Sequence, residues 1–483
     1  MTLNTLVFPM PEEVQTIFNV FNKASYEINL VGGCIRDYFM DRTIKDYDFC
    51  TNATPDEVKE LFKGKYEVID TGIKHGTVTV VINKKPFEIT TYRIDKYEKE
   101  WKINHRTPSE TILSSKDCKV SLLEDLSRRD FTINAMAFDG EKFIDPFEGR
   151  TDRAKKCLRC VGDANERFNE DALRILRGIR FSVTHNLKIE GYTLRAMFKQ
   201  KGLLHFISKE RITKELIEIL NCPIDIKSNH WILAEILSDL FPEYFEMSYL
   251  RAAKKEVFER LAKVFKTKTP AYFKMAFLMR CCMDDGVCIT TLLTDHREEK
   301  EKSKIFMGAI QNFCQNCLRC TNDFTKKVMK IHEVGNFLYD NLNLIKTPFY
   351  GRLYYPGGLV LHRLGKSASE LNFWTILYVS NLTNDRLALK KTNTLLKTLE
   401  KMIKDTECYP YMYEHIKIKG DDLELIGIKG KDIKNCFDYL LSQLMMREIP
   451  NDRETLMYKA LQFKKHNVIE LPSDSKLNIE KIY

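Results

Sequence analysis

The chain has 483 residues, of which 44% are hydrophobic and 30% charged, a balance typical of globular proteins with packed cores. This length predicts two to four domains. We find no apolar run of the roughly 18 residues that a membrane-spanning helix needs, and no basic stretch followed by an apolar segment at the N-terminus. The net charge of +9 permits a polyanionic partner without requiring one.

The 14 cysteines are scattered, and several lie within apolar patterns, so we expect free thiols in a reducing compartment, the cytoplasm. Two segments have the two-residue spacing of metal ligands: "CLRC", with Cys157 and Cys160, and "CQNCLRC", with Cys314, Cys317 and Cys320. The second segment has no fourth ligand nearby, and its positions drift around the axis of a helix. A metal site at these cysteines is therefore a minor alternative.

In chain order, the first 150 residues mix short strands with helices. Apolar and β-branched residues predict strands over 26–31, 45–51, 76–83 and 85–93. A helix is predicted to follow Thr54, which would cap it, with Pro55 at the first helical position. From about residue 165 the pattern is helical to the C-terminus. We therefore predict an α+β protein, with a small head containing a mixed sheet and an elongated, all-helical remainder.

Asp46 and Asp48 are two residues apart within one of the predicted strands. On a strand both carboxylates point to one face, and Tyr47 points to the other. Such carboxylates repel each other unless a cation lies between them, and Mg²⁺ prefers carboxylate and phosphate oxygens. Two such ions can activate a hydroxyl and stabilise a departing pyrophosphate. A solvated strand with two surface acids is the alternative for so short a motif.

Two glycines and an arginine precede this acidic pair. The backbone of Gly32 and Gly33 can approach a phosphate closely, and the start of the following helix, with Arg36, favours an anion. Together with the carboxylates, these residues are what a nucleoside triphosphate with Mg²⁺ requires. Downstream, Arg128 and Arg129 provide guanidinium groups that suit triphosphate oxygens. The alternatives are an ordinary glycine turn and a basic surface.

A helical pattern over 166–181 suggests how a base could be chosen. Its apolar stripe consists of Ala172, Leu173, Ile175, Leu176 and Ile179. The other side carries a ridge at i, i+3 spacing, formed by Asp171, Arg174, Arg177 and Arg180. A carboxylate accepts from the amino group of cytosine or adenine, whereas guanine and uracil present a carbonyl there. An Asp–Arg pair would thus select C and A, and a surface salt-bridge ladder is the alternative.

Five segments in this order resemble the polymerase-β-type nucleotidyltransferases, in the branch of class II CCA-adding enzymes of bacterial type and bacterial poly(A) polymerases. They are "GGCIRD…DYDF", "TGIKHGTVTVVI…FEITTYR", "EDLSRRDFTINAMAFDG", "IDPFEGRTD" and "ERFNEDALRILRGIRF". The resemblance implies a catalytic nucleotidyltransferase head over 1–150, a nucleotide-selecting neck over 151–223, a helical body over 224–345 and a helical tail over 346–483.

The resemblance also implies roles for single residues. Asp46 and Asp48 are expected to bind Mg²⁺, and Asp171 with Arg174 to select the base. Glu88, on a predicted strand, is our candidate for a third catalytic carboxylate, with a surface residue as the alternative. The remaining nucleotide-binding candidates, near the phosphates or the sugar, are Gly32, Gly33, Arg36, Arg128, Arg129, Arg177 and Arg180.

Two further segments bear on the substrate. In the family, the change from C to A depends on a flexible loop, here 94–123, which is longer than usual. Its presence favours full CCA addition, because enzymes of the family that add only CC tend to lack it. The segment Ile416–Leu456 resembles the tail domain that holds the tRNA elbow. Lys429, Gly430, Lys431 and Lys434 surround a predicted helix N-terminus there, which would bind RNA phosphates. A capped helix with exposed lysines is the alternative.

We therefore predict template-independent addition of CCA to the 3′ end of tRNA from CTP and ATP, with release of pyrophosphate. The closest rival is a poly(A) polymerase, and an enzyme that adds only CC or only A is a second. A non-catalytic tRNA-binding protein is a rival from another class. The sequence leaves open whether the chain is a monomer or a homodimer.

Overall fold

The computed structural model describes residues 8–97, 110–115, 117–223, 235–242, 268–284, 307–340, 354–368, 386–406 and 409–466, with 233, 264–266, 370, 371 and 375. The chain divides into two compact units. The first is Met1–Leu250 with Lys266–Lys268, and the second is Arg251–Phe265 with Thr269–Tyr483. The finer division into head, neck, body and tail stays a prediction.

The first unit contains a seven-stranded mixed sheet, which confirms the α+β class. The strands of the unit, in chain order, are β1 (Ile28–Val31), β2 (Asp48–Thr51), β3 (Glu67–Gly72), β4 (Thr77–Ile82), β5 (Lys85–Thr91), β6 (Arg93–Lys96), β7 (Glu110–Leu113), β8 (Ala137–Phe138), β9 (Phe143–Ile144), β10 (Cys157–Leu158) and β11 (Lys188–Ile189). The sheet has the order β3-β4-β5-β2-β1-β8-β9. Strands β2 and β5 run parallel, and every other neighbouring pair in the sheet is antiparallel.

Helices surround the sheet and continue beyond it. In the first unit they are α1 (Glu12–Lys23), α2 (Gly33–Phe39), α3 (Pro55–Phe62), α4 (Leu122–Ser127), α5 (Gly149–Ala154), α6 (Ala164–Glu170), α7 (Leu173–His185), α8 (Gly191–Gln200) and α9 (Lys209–Asn221). Helix α3 begins as predicted, because the side chain of Thr54 accepts from the backbone N–H of Glu57, whose carboxylate accepts from the backbone N–H of Thr54.

The sheet core follows from alternation along its strands. Val78, Val80 and Ile82 of β4 are buried, as are Phe87 and Ile89 of β5. They join one apolar cluster with residues of α1 and α3. Burying each such side chain stabilises the fold by roughly 1.5–3 kcal/mol. This packing fixes which face of β5 is left to present Glu88, and so it positions part of the site.

Two predictions about local structure are wrong in detail. The strand expected over 45–51 begins only at Asp48, so Asp46 lies before it and the two carboxylates do not share a strand. The helix expected over 166–181 is interrupted, since α6 ends at Glu170 and Asp171 has extended backbone angles, φ −146° and ψ 102°. The predicted apolar stripe is confirmed, because all five of its residues are buried. The two-residue pair β10–β11 also interrupts the helical pattern.

The described part of the second unit is helical, as predicted. Its helices are α10 (Ala271–Asp284), α11 (Asn322–Asp340), α12 (Tyr354–Leu364), α13 (Arg386–Lys404), α14 (Gly420–Leu425), α15 (Lys431–Met445) and α16 (Arg453–His466). Cys314 and Cys317 lie in a π-helical turn, Phe313–Cys317, that precedes α11. Within the described ranges, none of the helices has the length and apolarity needed to cross a membrane.

Candidate active site

Two predicted carboxylates meet at the edge of one cavity. Because β2 and β5 are parallel with Phe49 opposite Ile89, the residues that precede them, Asp48 and Glu88, are neighbours. Both line a cavity of about 240 Å³. Arg93, Arg128 and Arg129 line the same cavity. The structure thus brings candidate catalytic carboxylates and candidate phosphate ligands together.

The charge of Asp48 is destabilised in this position. Burial, together with the charges of Glu88 and Asp46, raises the pKa of Asp48 to about 6, although Arg129 and Arg36 act in the opposite direction. Asp46 is exposed, so it acts here from outside the strand. Carboxylates that repel one another in this way suit a divalent cation with oxygen ligands. Among the described residues, no group of three His, Cys, Asp or Glu side chains is placed to hold a metal ion.

The glycine turn contacts the arginine of the second motif. Gly32 has φ 70° and ψ −119°, which favours glycine. A Cβ atom at Gly32 would also lie 3.1 Å from Nη1 of Arg129. Gly33 begins α2, and Arg36 follows on its first turn, where Nη1 donates to Oδ1 of Asn134 over 2.9 Å. Nη1 of Arg129 donates to the backbone oxygen of Asn134 over 3.4 Å, so Arg36 and Arg129 both contact this residue.

A buried carboxylate, which the sequence analysis missed, holds both arginines of "SRRD". Asp125 has no exposed side-chain surface and accepts from Nη2 of Arg128 over 2.7 Å and from Nη2 of Arg129 over 3.1 Å. Burial alone would raise the pKa of Asp125, but the two guanidinium groups outweigh it and lower that pKa. The i, i+3 and i, i+4 spacing on α4 was the sequence signal that could have identified this residue.

A second missed group joins the head to the neck helix. Asp130 accepts from Nε and Nη2 of Arg177 over 2.8 and 2.7 Å, and from Nδ2 of Asn134 over 3.0 Å. Burial opposes the charge of Asp130, yet Arg177 and Asn134 lower its pKa to about 2. The same Asn134 side chain accepts from Arg36, so one chain of hydrogen bonds connects α2 with α7. No local spacing signals this pairing.

The predicted base-selecting residues are each fixed by a different partner. Asp171 accepts from Nη2 of Arg211 over 2.7 Å and from the backbone N–H of Leu173. Arg174 is 9% exposed; its Nη1 donates to Glu170 over 2.6 Å, and its Nη2 donates to the backbone oxygen of Arg128 over 2.7 Å. Because the helix is interrupted at Asp171, the side chains of Asp171 and Arg174 pair with Arg211 and Glu170 and not with each other along one ridge. Arg174 lies against the backbone of Arg128, whereas Asp171 is paired with Arg211 of α9.

The last two arginines of the ridge lie farther along α7. Nε of Arg180 donates to Oε2 of Glu215 over 2.6 Å, and Arg177 lies 3.9 Å from the other oxygen of that carboxylate. Glu215, on α9, is a further partner that the sequence analysis missed. Each candidate arginine of the first unit is therefore paired with a carboxylate before any ligand binds, Arg36 with that of Asp37.

The candidate RNA-binding residues lie in the second unit. Gly430 has φ 59° and precedes α15, which begins at Lys431. Lys429, Lys431 and Lys434 are exposed around this turn. In the first unit, β6 and β7 form an antiparallel pair within the predicted switching loop 94–123, of which 98–109 and 116 lie outside the described residues.

Comparisons with known proteins agree with the motifs. Residues 28–159 match the Poly A polymerase head domain. A CCA-adding enzyme of Listeria monocytogenes is 45% identical over 203 residues, 41% of this chain and 48% of the relative. One of Streptococcus agalactiae is 45% identical over 219 residues, 44% of this chain and 51% of the relative. The matched part of the chain thus spans about half the length of these curated relatives.

Solved structures extend the similarity in fold along the chain. The CCA-adding enzyme of Bacillus stearothermophilus in complex with CTP aligns with a TM-score of 0.64 at 24% identity, over 95% of this chain and 99% of that one. The Thermotoga maritima CCA-adding enzyme complexed with tRNA aligns with a TM-score of 0.59 at 18% identity, over 95% and 97%. The resemblance seen in the motifs is confirmed. Residues 28–159 are similar to the Poly A polymerase head domain, and the chain shares its fold with CCA-adding enzymes.

Proposed function

We propose that this chain adds CCA to the 3′ end of tRNA from CTP and ATP without a template. The observation that carries this proposal is the meeting of Asp48 and Glu88 with Arg128 and Arg129 at one cavity, within a head domain similar to those of CCA-adding enzymes. In the reaction the 3′-hydroxyl oxygen of the tRNA bonds to the α-phosphorus of the nucleotide. The bond to the β-phosphate breaks, and pyrophosphate leaves.

We further propose that Asp46, Asp48 and Glu88 are the acidic residues of this reaction, with Asp46 and Asp48 as ligands of Mg²⁺. The raised pKa of Asp48 supports this, because a cation among these carboxylates would relieve their repulsion. Mg²⁺, when bound, supplies activation of the attacking hydroxyl and neutralisation of the departing pyrophosphate. Substrate phosphates would complete its coordination.

In this proposal the arginines bind and orient the triphosphate. Arg129 and Arg36 lie close enough to the acidic cavity to lower the pKa of Asp48. Arg128 and Arg129 share Asp125, so their positions are set before the nucleotide arrives. Such preorganised cations stabilise charge that develops during phosphoryl transfer without the cost of rearranging them. The backbone of Gly32 and Gly33 lies beside them and leaves room for a phosphate.

Base selection is proposed to rest on Asp171 and Arg174. Arg211 holds the carboxylate of Asp171 by a hydrogen bond, and Glu170 with the backbone of Arg128 holds the guanidinium of Arg174. A carboxylate acceptor and a fixed guanidinium donor fit the edge of cytosine or adenine, and they leave a polar group unpaired against uracil or guanine. Both C and A can therefore enter without a template strand.

The tail segment is proposed to hold the tRNA by its backbone. Exposed Lys429, Lys431 and Lys434 surround the turn at Gly430, where backbone N–H groups begin a helix. Such a surface binds the phosphates of an RNA backbone and recognises its shape. This suits a protein that must accept every tRNA. We also propose the division into head, neck, body and tail given above, and activity in the cytoplasm.

Product sequencing tests the proposal directly. The full chain is incubated with Mg²⁺ and a tRNA lacking its 3′ CCA, with CTP alone, ATP alone, or both. We expect CC from CTP alone and CCA, with growth stopping there, from both. A long A tail would instead establish poly(A) synthesis, and CC alone with both nucleotides present would establish a partial enzyme. Tight tRNA binding without extension would favour a non-catalytic RNA-binding protein.

A further inference from the structure

Three arginines from two helices converge on one aromatic ring. The Cζ atoms of Arg36, Arg177 and Arg180 lie 5.3, 5.3 and 4.5 Å from the centroid of the Phe181 ring. Arg36 comes from α2 of the head, and the other two come from α7. A guanidinium group at this distance is attracted to the negative face of a π-system. One ring therefore contacts the guanidinium groups of three arginines, of which Arg36 is far from the other two in the sequence.

The same arginines are also tied to acceptors on other elements. Arg36 donates to Asn134, Arg177 to Asp130 and Arg180 to Glu215. Their side chains nevertheless remain 14, 34 and 22% exposed. Each arginine is thus held by an acceptor while it contacts the ring.

The ring itself is fixed in position. Phe181 is 3% exposed and packs edge-to-face on Phe131, with ring centroids 5.9 Å apart. Gly178 permits this contact, because a Cβ atom there would lie 2.9 Å from Cζ of Phe131. His185 stacks near Phe181 at 5.9 Å. Burial, then Arg36, Arg42 and Arg180, lower the pKa of His185 to about 3, so this imidazole adds no charge at neutral pH.

We propose that Phe181 is a positioning residue for the triphosphate, whose ring holds the guanidinium groups of Arg36, Arg177 and Arg180 in one orientation toward the phosphate oxygens. The inference rests on the proposed function, since it assumes that a nucleoside triphosphate occupies this site. It adds a cause for the fixed orientation of the three arginines, namely their attraction to the π-electrons of one buried side chain. Cationic side chains that are already held near one another bind a polyanion without the entropic cost of ordering them on binding.

The test varies the π-electrons and keeps the shape. Phe181 of the full chain is replaced by phenylalanine analogues with one, two and three ring fluorines, which weaken the negative face stepwise at nearly constant volume. The probe is inorganic tripolyphosphate with Mg²⁺, measured by calorimetry. We expect the Kd to rise at each step and to be about tenfold higher with three fluorines, as the loss of roughly one or two cation–π contacts predicts. The same analogues at Phe62, a buried ring packed against Phe21 and Tyr66, are the matched control.

Two outcomes would overturn the inference. One is an unchanged or lower Kd across the fluorinated series while the melting temperature stays constant. The other is an equal rise in Kd for the Phe62 series, which would assign the effect to folding. Phe181→Leu and Phe181→Tyr add a second comparison, in which only Leu should weaken the binding of tripolyphosphate. Because these assays contain no tRNA, a failure of CCA addition and a failure of the Phe181 inference remain distinguishable.

Discussion

The two candidate binding surfaces hold their cations in different ways. In the first unit, Arg128, Arg129 and Arg177 are partly buried and paired with carboxylates. In the tail, Lys429 and Lys431 are exposed beside a glycine turn. Arginine in a fixed hydrogen-bonded frame presents its donors in one geometry, whereas an exposed lysine is a mobile point charge. In the proposed function, this difference suits the first surface to chemistry on a defined group and the second to attraction to an RNA backbone.

The largest expected effect tests the chemistry of the first surface. Asp48→Asn removes a charge at the cavity while keeping the size of the side chain. We expect the rate of CMP incorporation into tRNA to fall by about 10²–10³-fold or more, the loss typical of removing one preorganised electrostatic group. The measurement is the initial rate at saturating CTP and Mg²⁺.

Asp41→Asn is the matched control for this change. Asp41 is 91% exposed and pairs with Arg153 at the surface, and its positive φ of 54° suits asparagine. Its rate should match that of the unaltered protein. If Asp48→Asn kept a tenth or more of the activity, Asp48 would not be a catalytic carboxylate, and the contrast between the two surfaces would lose its chemical meaning.

A second change sharpens the comparison within the first unit. Asp171→Ala removes the acceptor that Arg211 holds in place. We expect the preference for CTP over UTP, as a ratio of kcat/KM values, to fall by about 10–100-fold, because the loss of one good hydrogen-bonding pair costs roughly 1–3 kcal/mol of discrimination. Mg²⁺ dependence should change less.

The control for base choice is Asp163→Ala, at the start of the same neck region. Asp163 caps α6 by accepting from the backbone N–H of Asn165, so its loss should affect stability and leave the nucleotide ratio unchanged. Equal ratios for the four nucleotides in the unaltered protein and in Asp171→Ala would remove Asp171 from base selection.

Much of the fold was predictable because its causes are local. The alternation in β4 and β5 and the cap at Thr54 depend on residues only a few positions apart. The break at Asp171 also has a local cause, since its side chain accepts from the backbone N–H of Leu173, the first residue of α7. The sequence analysis missed this break because the apolar residues keep helical spacing across it and so predict one continuous helix.

The partners that fix the site were harder to predict. Asp130 and Arg177 are 47 positions apart, Asn134 and Arg36 are 98, and Asp171 and Arg211 are 40. Such pairs form only when segments far apart in the sequence pack together, and nothing in the local sequence of either residue names the other. The sequence therefore indicated which cations belong to the site, and the structure shows what holds them.

A third prediction addresses the tail surface. Lys429→Gln, Lys431→Gln and Lys434→Gln should each raise the KM for tRNA a few-fold and reduce the salt dependence of binding by about one unit of slope. Their kcat values and CTP-to-UTP ratios should not change, because these residues contact no nucleotide in the proposal. The measurements are tRNA binding at several salt concentrations and steady-state kinetics.

Lys63→Gln, on α3's exposed end, is the matched control, since Lys63 is 72% exposed and pairs only weakly with Glu60 at the surface. It should leave the KM for tRNA and the salt slope unaltered. If the three tail variants behaved like Lys63→Gln, the turn at Gly430 would be an ordinary helix start, and the contrast between the two surfaces would reduce to the first one alone.

The smallest expected effect concerns stability and pH. Nδ1 of His185 is buried without a hydrogen-bond partner in the described part of the chain, and the pKa of this imidazole is lowered to about 3 by burial and by Arg36, Arg42 and Arg180. In the unfolded chain the histidine pKa is about 6.5. As pH falls below that value, His185 binds a proton in the unfolded state but not in the folded state. The free energy of unfolding therefore decreases steadily toward pH 3.

His185→Phe removes this proton and keeps an aromatic ring beside Phe181. We expect its melting temperature to exceed that of the unaltered protein by an amount that grows as pH is lowered from 8 through 6.5 to 5. In the tail, the pKa of His415 is lowered by burial while Glu414 opposes the shift, so His415→Phe should show a smaller pH-dependent difference. Parallel curves for His185→Phe and the unaltered protein would mean that burial and the neighbouring arginines do not lower the pKa of His185 in the folded protein.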